Sequence, residues 1–120
     1  MNILNHYLGA VLAGIREGRK ITQTELGQSL RCSGSFISNI ERGGNGEISM
    51  DMVEFYSQHL QVPVDEIYNV AMEYQIEYSS HDEMFYEITR DIIKRRLKAK
   101  YDQDRLELRT RTIFDRRIEH

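Results

Sequence analysis

With 120 residues, 40% of them apolar, the chain has room for one compact domain plus an appendage and material for an ordinary core. No run of about 18 apolar residues occurs, so no membrane span is expected. A single cysteine excludes an intrachain disulfide and any zinc site built on two or more cysteines. The formal net charge is −3: residues 1–71 carry five Lys/Arg against eight Asp/Glu, and residues 72–120 carry eleven of each. A phosphate-rich partner would have to be met by a few cations gathered on one face. Arg19, Lys20, Arg31 and Arg42, spread over residues 19–42, are the candidates for such a cluster.

In chain order, Leu4, Leu8, Val11, Leu12 and Ile15 recur at the spacing of one helix face, and Gly18 ends that helix. The short apolar run from Leu8 to Ile15 has no basic segment before it and is interrupted by Gly9 and Gly14. It reads as a helix face rather than a signal peptide, and a cytoplasmic location is expected. Thr22 is an N-cap, with Glu25 three residues on in the capping-box position, and Leu26 and Leu30 share a face. Arg31-Cys32 is short enough only for a turn. Ser33 then caps a second short helix in which Ile37 and Ile40 face inward. Gly34, Ser35, Phe36, Ser38 and Asn39 cover its start and outer face, and Gly43 stops it, helped by Gly44, Asn45 and Gly46. Two short helices about a tight turn have the shape of a unit whose second helix lies in the major groove of DNA.

Beyond the glycines, Ser49 caps a helix with Asp51 in its first turn and Met52, Val53, Phe55, Tyr56 and Leu60 on its buried face. Pro63, the only proline, opens the next, with Asp65 and Glu66 at the positive end of its dipole. Val64, Ile67, Tyr68 and Ala71 complete a five-helix globule over residues 1–71. Nothing reads as a strand, so the fold class is all-α. Residues 72–82 read as a linker or as a helix fraying into a turn, with the break at Ser79-Ser80. A helix is predicted from Glu83 to Tyr101, with Phe85, Ile88 and Ile92 on one stripe and Tyr86, Ile93, Leu97 and Tyr101 on another. A last helix is predicted from about Asp104 to Ile118, with sparse apolar positions at Leu106, Leu108, Ile113, Phe114 and Ile118. These two are too poor in large apolar side chains to form a core alone. Residues 83–120 are therefore expected to form a helical hairpin docked on a second subunit or on the first domain.

Ile21-Thr-Gln-Thr-Glu-Leu, then Ser33-x-Ser35-x-Ile37-Ser38-x-Ile40-Glu41-Arg42-Gly43, with Ile48-Ser49, Leu60-x-Val62 and Glu66-Ile67 following, closely resemble the Cro/repressor-type (XRE) helix-turn-helix family over roughly residues 4–71. The resemblance implies a repressor-like five-helix domain, here followed by a two-helix C-terminal extension. It also implies a transcriptional regulator that binds double-stranded DNA as a homodimer on a near-palindromic operator. Ile48-Ser49 in place of Pro-Ser, and Val62-Pro-Val-Asp-Glu-Ile, are similar to the Rgg/MutR-type regulators. Those join this domain to a helical-repeat domain that binds a peptide pheromone. A repeat array needs about three or more helix pairs, and this chain has room for one, so peptide sensing is not carried over.

For base contacts the candidates are Ser35, Phe36 and Asn39. The Asn39 amide can pair bidentately with the N6/N7 edge of adenine, while the Ser35 hydroxyl serves several base edges. Phe36 either meets a thymine methyl or packs over the turn. Gly34 stands where the family often has glutamine, so base reading leans on Asn39, Phe36 and DNA shape. For the DNA backbone the candidates are Gln23, whose counterpart in the resembling family holds a phosphate, together with Ser33, Arg42, Arg19 and Lys20. Arg16, near the end of helix 1, is placed to meet a phosphate; the resemblance instead gives Arg16 and Glu41 a structural role as an ion pair tying helix 1 to the recognition helix. Cys32 takes the place of a small apolar residue and reads as core. His6, His59, His81 and His120 have no ligand spacing, so no metal and no cofactor are expected. Catalysis is not expected either, because Gly43-Gly44-Asn45-Gly46 follows a helix, lacks the Lys-Ser/Thr end of a phosphate loop, and reads as a helix stop. The alternative is an accessory protein that binds another regulator or subunit through its C-terminal helices and touches DNA weakly.

Overall fold

The computed structural model describes residues 3–44, 48–78 and 83–118, with side chains within 4–44, 48–78 and 84–102. Every regular element among them is helical: α1 (Ile3–Gly18), α2 (Gln23–Leu30), α3 (Gly34–Glu41), α4 (Met50–Leu60), α5 (Val64–Tyr78), a 3-10 turn (Glu83–Phe85) and α6 (Tyr86–Ile118).

α1 is the centre of the molecule. Tyr7, Leu8, Ala10, Val11, Leu12, Ala13 and Ile15 are all buried, so the helix is enclosed on every side rather than along one stripe. It contacts α3, α4, α5 and α6. The helix starts follow the local chemistry of the sequence. The hydroxyls of Thr22, Ser33 and Ser49 accept hydrogen bonds from the backbone N–H groups of Glu25 (3.1 Å), Phe36 (3.2 Å) and Met52 (3.2 Å). α2 and α4 both stop at a residue in the left-handed region, Arg31 (φ 60°) and Gln61 (φ 58°), where glycine would be at ease. Lys20 (φ 61°) makes the same kind of turn between α1 and α2.

Two expectations for the C-terminal part need correction. First, α5 does not give way to a linker at residue 72 but continues to Tyr78. Tyr74 and Tyr78 are packed against the core with their rings stacked at 6.3 Å, which extends the buried face by a further turn. The expected break at Ser79-Ser80, and His81 with it, lie outside the described residues, as do Asn45, Gly46 and His120. Second, no hairpin forms within 83–118, because α6 is one continuous helix of 33 residues. The expected turn near Asp102-Gln103 holds neither glycine nor proline, so nothing in the chain stops the helix there.

α6 is built into the fold. Ile93, Leu97 and Tyr101 are buried against α1, where Gly14 and Gly18 allow a close approach. A Cβ at Gly14 would lie 2.8 Å from Leu97 Cβ, and one at Gly18 would lie 2.9 Å from the Lys98 carbonyl oxygen. Tyr101 donates to Glu66 Oε1 on α5 at 3.1 Å, and Lys94 pairs with Glu17 on α1 at 3.2 Å. Of the two apolar stripes predicted for this helix, the one carrying Ile93, Leu97 and Tyr101 is covered, whereas Phe85 and Ile88 are exposed.

Candidate nucleic-acid interface

The side chain of Glu41, at the inner C-terminal end of α3, is fully buried. A carboxylate in such a place must have all its acceptor capacity met, and four donors from three other helices meet it. Arg16 of α1 donates through Nε to Oε2 at 2.7 Å and through Nη2 to Oε1 at 2.9 Å, the two-pronged geometry that suits guanidinium and carboxylate best. Gln23, first residue of α2, donates through Nε2 to Oε1 at 3.1 Å. Tyr56 of α4 donates its hydroxyl to Oε2 at 2.8 Å. Arg16 also donates through Nη1 to the carbonyl of Ile21 at 2.7 Å, which fixes the turn leading into α2.

The protonation states follow from this arrangement. Burial alone would lower the Arg16 guanidinium, but the hydrogen bond and charge of Glu41 outweigh it and hold the group above its ordinary value. The Tyr56 phenol is pushed far above its usual 10.0, first by burial and then by the neighbouring Glu41 charge and the hydrogen bond it donates there. At physiological pH Arg16 is therefore charged and Tyr56 is a neutral hydroxyl donor.

With its inner edge fixed in this way, α3 presents Ser35, Phe36 and Asn39 outward together, at the i, i+1 and i+4 positions of one exposed face. Phe36 is 46% exposed. None of the three side chains makes a hydrogen bond or ion pair among the described residues. Ser33 and Arg42 are exposed at the two ends of α3, and Ser33 already spends one lone pair as the N-cap. Gln23, half-buried, has one amide proton committed to Glu41. α3 crosses the start of α2 closely: a Cβ at Gly34 would meet Thr24 Oγ1 at 3.2 Å.

The four-helix clamp and the free outer face belong to residues 7–68, and that stretch, just over half of the chain, matches the helix-turn-helix domain family. The chain is a member of that family. No curated protein and no solved structure matched it. Helix-turn-helix domains bind DNA, and α2 and α3 are the pair that forms the motif here.

Within the helix-turn-helix unit the structure sorts the candidate residues. Arg16 and Glu41 are joined inside. Arg19, expected to contact the DNA backbone, is instead withdrawn from the surface. Its Nε donates to the Leu60 carbonyl at 2.8 Å and its Nη1 to the Tyr101 carbonyl at 2.9 Å, with the guanidinium 5.3 Å from the Tyr101 ring centroid. A cation flanking the motif in sequence is thus a tie between α1, the end of α4 and α6. Lys20 stays exposed, 3.8 Å from Asp102 on α6. Cys32 is half-buried and packed against the core. Among the described residues no group of His, Cys, Asp and Glu could hold a metal ion, and no helix is long and apolar enough to cross a membrane.

Arg31, one of the flanking cations in the sequence, is exposed on the turn itself, and its left-handed backbone holds it at the junction of α2 and α3. Sequence reasoning missed one feature of the site: Tyr56 read only as part of an apolar face. The available signal was general: a buried tyrosine hydroxyl needs a partner, and Glu41 was the acidic group assigned to the interior.

Proposed function

We propose that the protein is a cytoplasmic, sequence-specific regulator of transcription that lays α3 in the major groove of double-stranded DNA. The observation that carries this reading is the division of α3 into a clamped inner edge and an unengaged outer face bearing Ser35, Phe36 and Asn39. Asn39 is the base reader, worth about 1–3 kcal/mol of discrimination for adenine through its two-point amide contact. Phe36 supplies an apolar surface for a thymine methyl, and Ser35 a tolerant hydroxyl. Gln23, Ser33, Arg42 and Lys20, with Arg31 at the turn, meet phosphates on either side and set the register. Two copies, in contact through residues 83–120, place their α3 helices roughly 34–36 Å apart on a near-palindromic site.

The test is selection of duplexes from a random pool near physiological salt, with wild type, Asn39→Ala and Arg42→Ala in parallel. Wild type is expected to enrich a two-fold symmetric motif, and Asn39→Ala to relax one position in each half. Arg42→Ala is expected to weaken all sequences about equally and reduce the salt dependence by about one phosphate contact. Enrichment of nothing by the wild type refutes the proposal. An unaltered motif with Asn39→Ala removes Asn39 as the reader.

A further inference from the structure

A helix leaves its last four carbonyl oxygens without intrahelical partners. At the end of α3 the chain following the helix satisfies three of them. The Arg42 N–H reaches the carbonyls of Ser38 (3.1 Å) and Asn39 (3.3 Å), the Gly44 N–H that of Asn39 (2.9 Å), and the Gly43 N–H that of Ile40 (3.0 Å). The fourth, on Glu41, is met from elsewhere: Arg90 of α6, 49 residues on, donates from Nη2 at 3.3 Å. On its other side this carbonyl rests on α1, where a Cβ at Gly9 would lie 2.6 Å from the oxygen. The Arg90 guanidinium lies between α1 and α6 at a small cavity lined by His6, Tyr7, Tyr86 and Thr89, and its Nε is buried with no hydrogen-bond partner among the described residues. A cation there also opposes the partial negative charge at the C-terminal end of α3.

We propose that Arg90 is a positioning residue for DNA reading: it completes the C-terminal end of the recognition helix and so makes α6 part of the reading unit. This rests on the reading of α3 given above. The Glu41 side chain fixes the helix toward α1, α2 and α4, and its backbone carbonyl fixes it toward α6. Without the second hold, α3 can rotate about the first. Any partner or second copy that shifts α6 acts on Ser35, Phe36 and Asn39 through this one guanidinium, with no contact of its own to DNA.

The experiment uses the full chain with Arg90→Ala and Arg90→Lys, the duplex enriched by the wild type, and an unrelated duplex of equal length. Binding is measured across salt concentrations, and amide hydrogen exchange on the free protein, at a temperature where α1 amides exchange as in wild type. Arg90→Ala is expected to weaken the enriched duplex about tenfold, the scale of one hydrogen bond to a charged group. The unrelated duplex should stay within about twofold and the salt slope should not change, because no phosphate contact is lost. Exchange at the Arg42, Gly43 and Gly44 amides should rise, and Arg90→Lys should restore part of both effects. Unchanged discrimination and unchanged exchange overturn the proposal. A salt slope lowered by about one also overturns it, since Arg90 would then touch a phosphate directly. Should the wild type itself enrich no duplex, the DNA reading fails before any variant is compared. Faster exchange confined to residues 42–44 would then still support Arg90 as the residue that sets α3, and unchanged exchange would refute that too.

Discussion

Replacing Arg16 by methionine removes the charge and the forked donor while keeping an unbranched stem in the same space. Glu41, whose side chain is fully buried, is left with only the Gln23 and Tyr56 donors and no countercharge. Breaking a buried pair in this way costs about 3–5 kcal/mol, because the remaining charge is stranded. The two lost hydrogen bonds, at about 1.5–3 kcal/mol each for a charged partner, give an overlapping range of about 3–6 kcal/mol. The Arg16 bond to the Ile21 carbonyl adds to the loss, and the methionine stem offsets part of it. A net loss of about 4 kcal/mol is expected. For a chain of this length the unfolding entropy is on the order of 0.25 kcal/mol per kelvin, so Tm should fall by about 16 °C. Circular dichroism melting at neutral pH measures this, with DNA binding compared well below the lower Tm. Arg16→Lys should recover only part of the loss, since an ammonium cannot reproduce the fork. A melting temperature within about 3 °C of wild type, combined with lost DNA binding, would refute the reasoning and make Arg16 a DNA contact.

Three other expectations follow from the same geometry. The Tyr56 phenol lies above its unfolded value of 10.0 in the folded state, so the unfolded chain gives up this proton first as pH rises. Stability contributed by the protonated phenol is complete below about pH 10 and declines above it, by up to about 1.4 kcal/mol per pH unit per group. Tyr56→Phe should flatten that alkaline decline in urea melts, and an unchanged slope would show that other groups control it. Gly18→Ala would gain about 1 kcal/mol of helix propensity in an open helix, yet its Cβ meets the Lys98 carbonyl at 2.9 Å and Tyr101 Cβ at 3.1 Å. A lowered Tm is therefore expected, and a raised one would disprove the close α1–α6 packing. Gln61→Gly relieves a left-handed residue at the end of α4, outside the helix-turn-helix pair, and should add about 0.5–1 kcal/mol in denaturant unfolding. A loss there would mean that the Gln61 side chain has a role the backbone argument omits.

The features legible in the sequence are those set by neighbours along the chain. Thr22, Ser33 and Ser49 identify three helix starts because a cap needs only the next three residues. Ile37 and Ile40 identify the inner side of α3 because 3.6 residues per turn decide it. The family match to residues 7–68 agrees with the motif spacing that had pointed to a DNA-binding fold. What the sequence left hidden depends on distant partners. Arg19 looks like any cation beside a motif until the carbonyls of Leu60 and Tyr101 come within reach of it, 41 and 82 residues away. Gly14 and Gly18 interrupt an apolar run when read locally. Their spacing of four, with Ala10 before them, was the available sign that another helix packs closely there. The continuous α6 departs from the expected hairpin because neither glycine nor proline stands between Tyr101 and Asp104 to end the helix.

The free outer face of α3 has a consequence for how such a protein can change over time. The hydrogen-bonded restraints on that eight-residue helix come from its inner edge and its two ends, and the side chains of Ser35, Phe36 and Asn39 take no part in them. Substitutions at exposed positions of this kind usually move stability by no more than about 0.5 kcal/mol. A lineage can therefore exchange all three, and move from one operator to another, without passing through an intermediate that fails to fold. Glu41 and its partners have no such latitude, so divergence in target sequence should accumulate on one side of the helix while the other stays as it is.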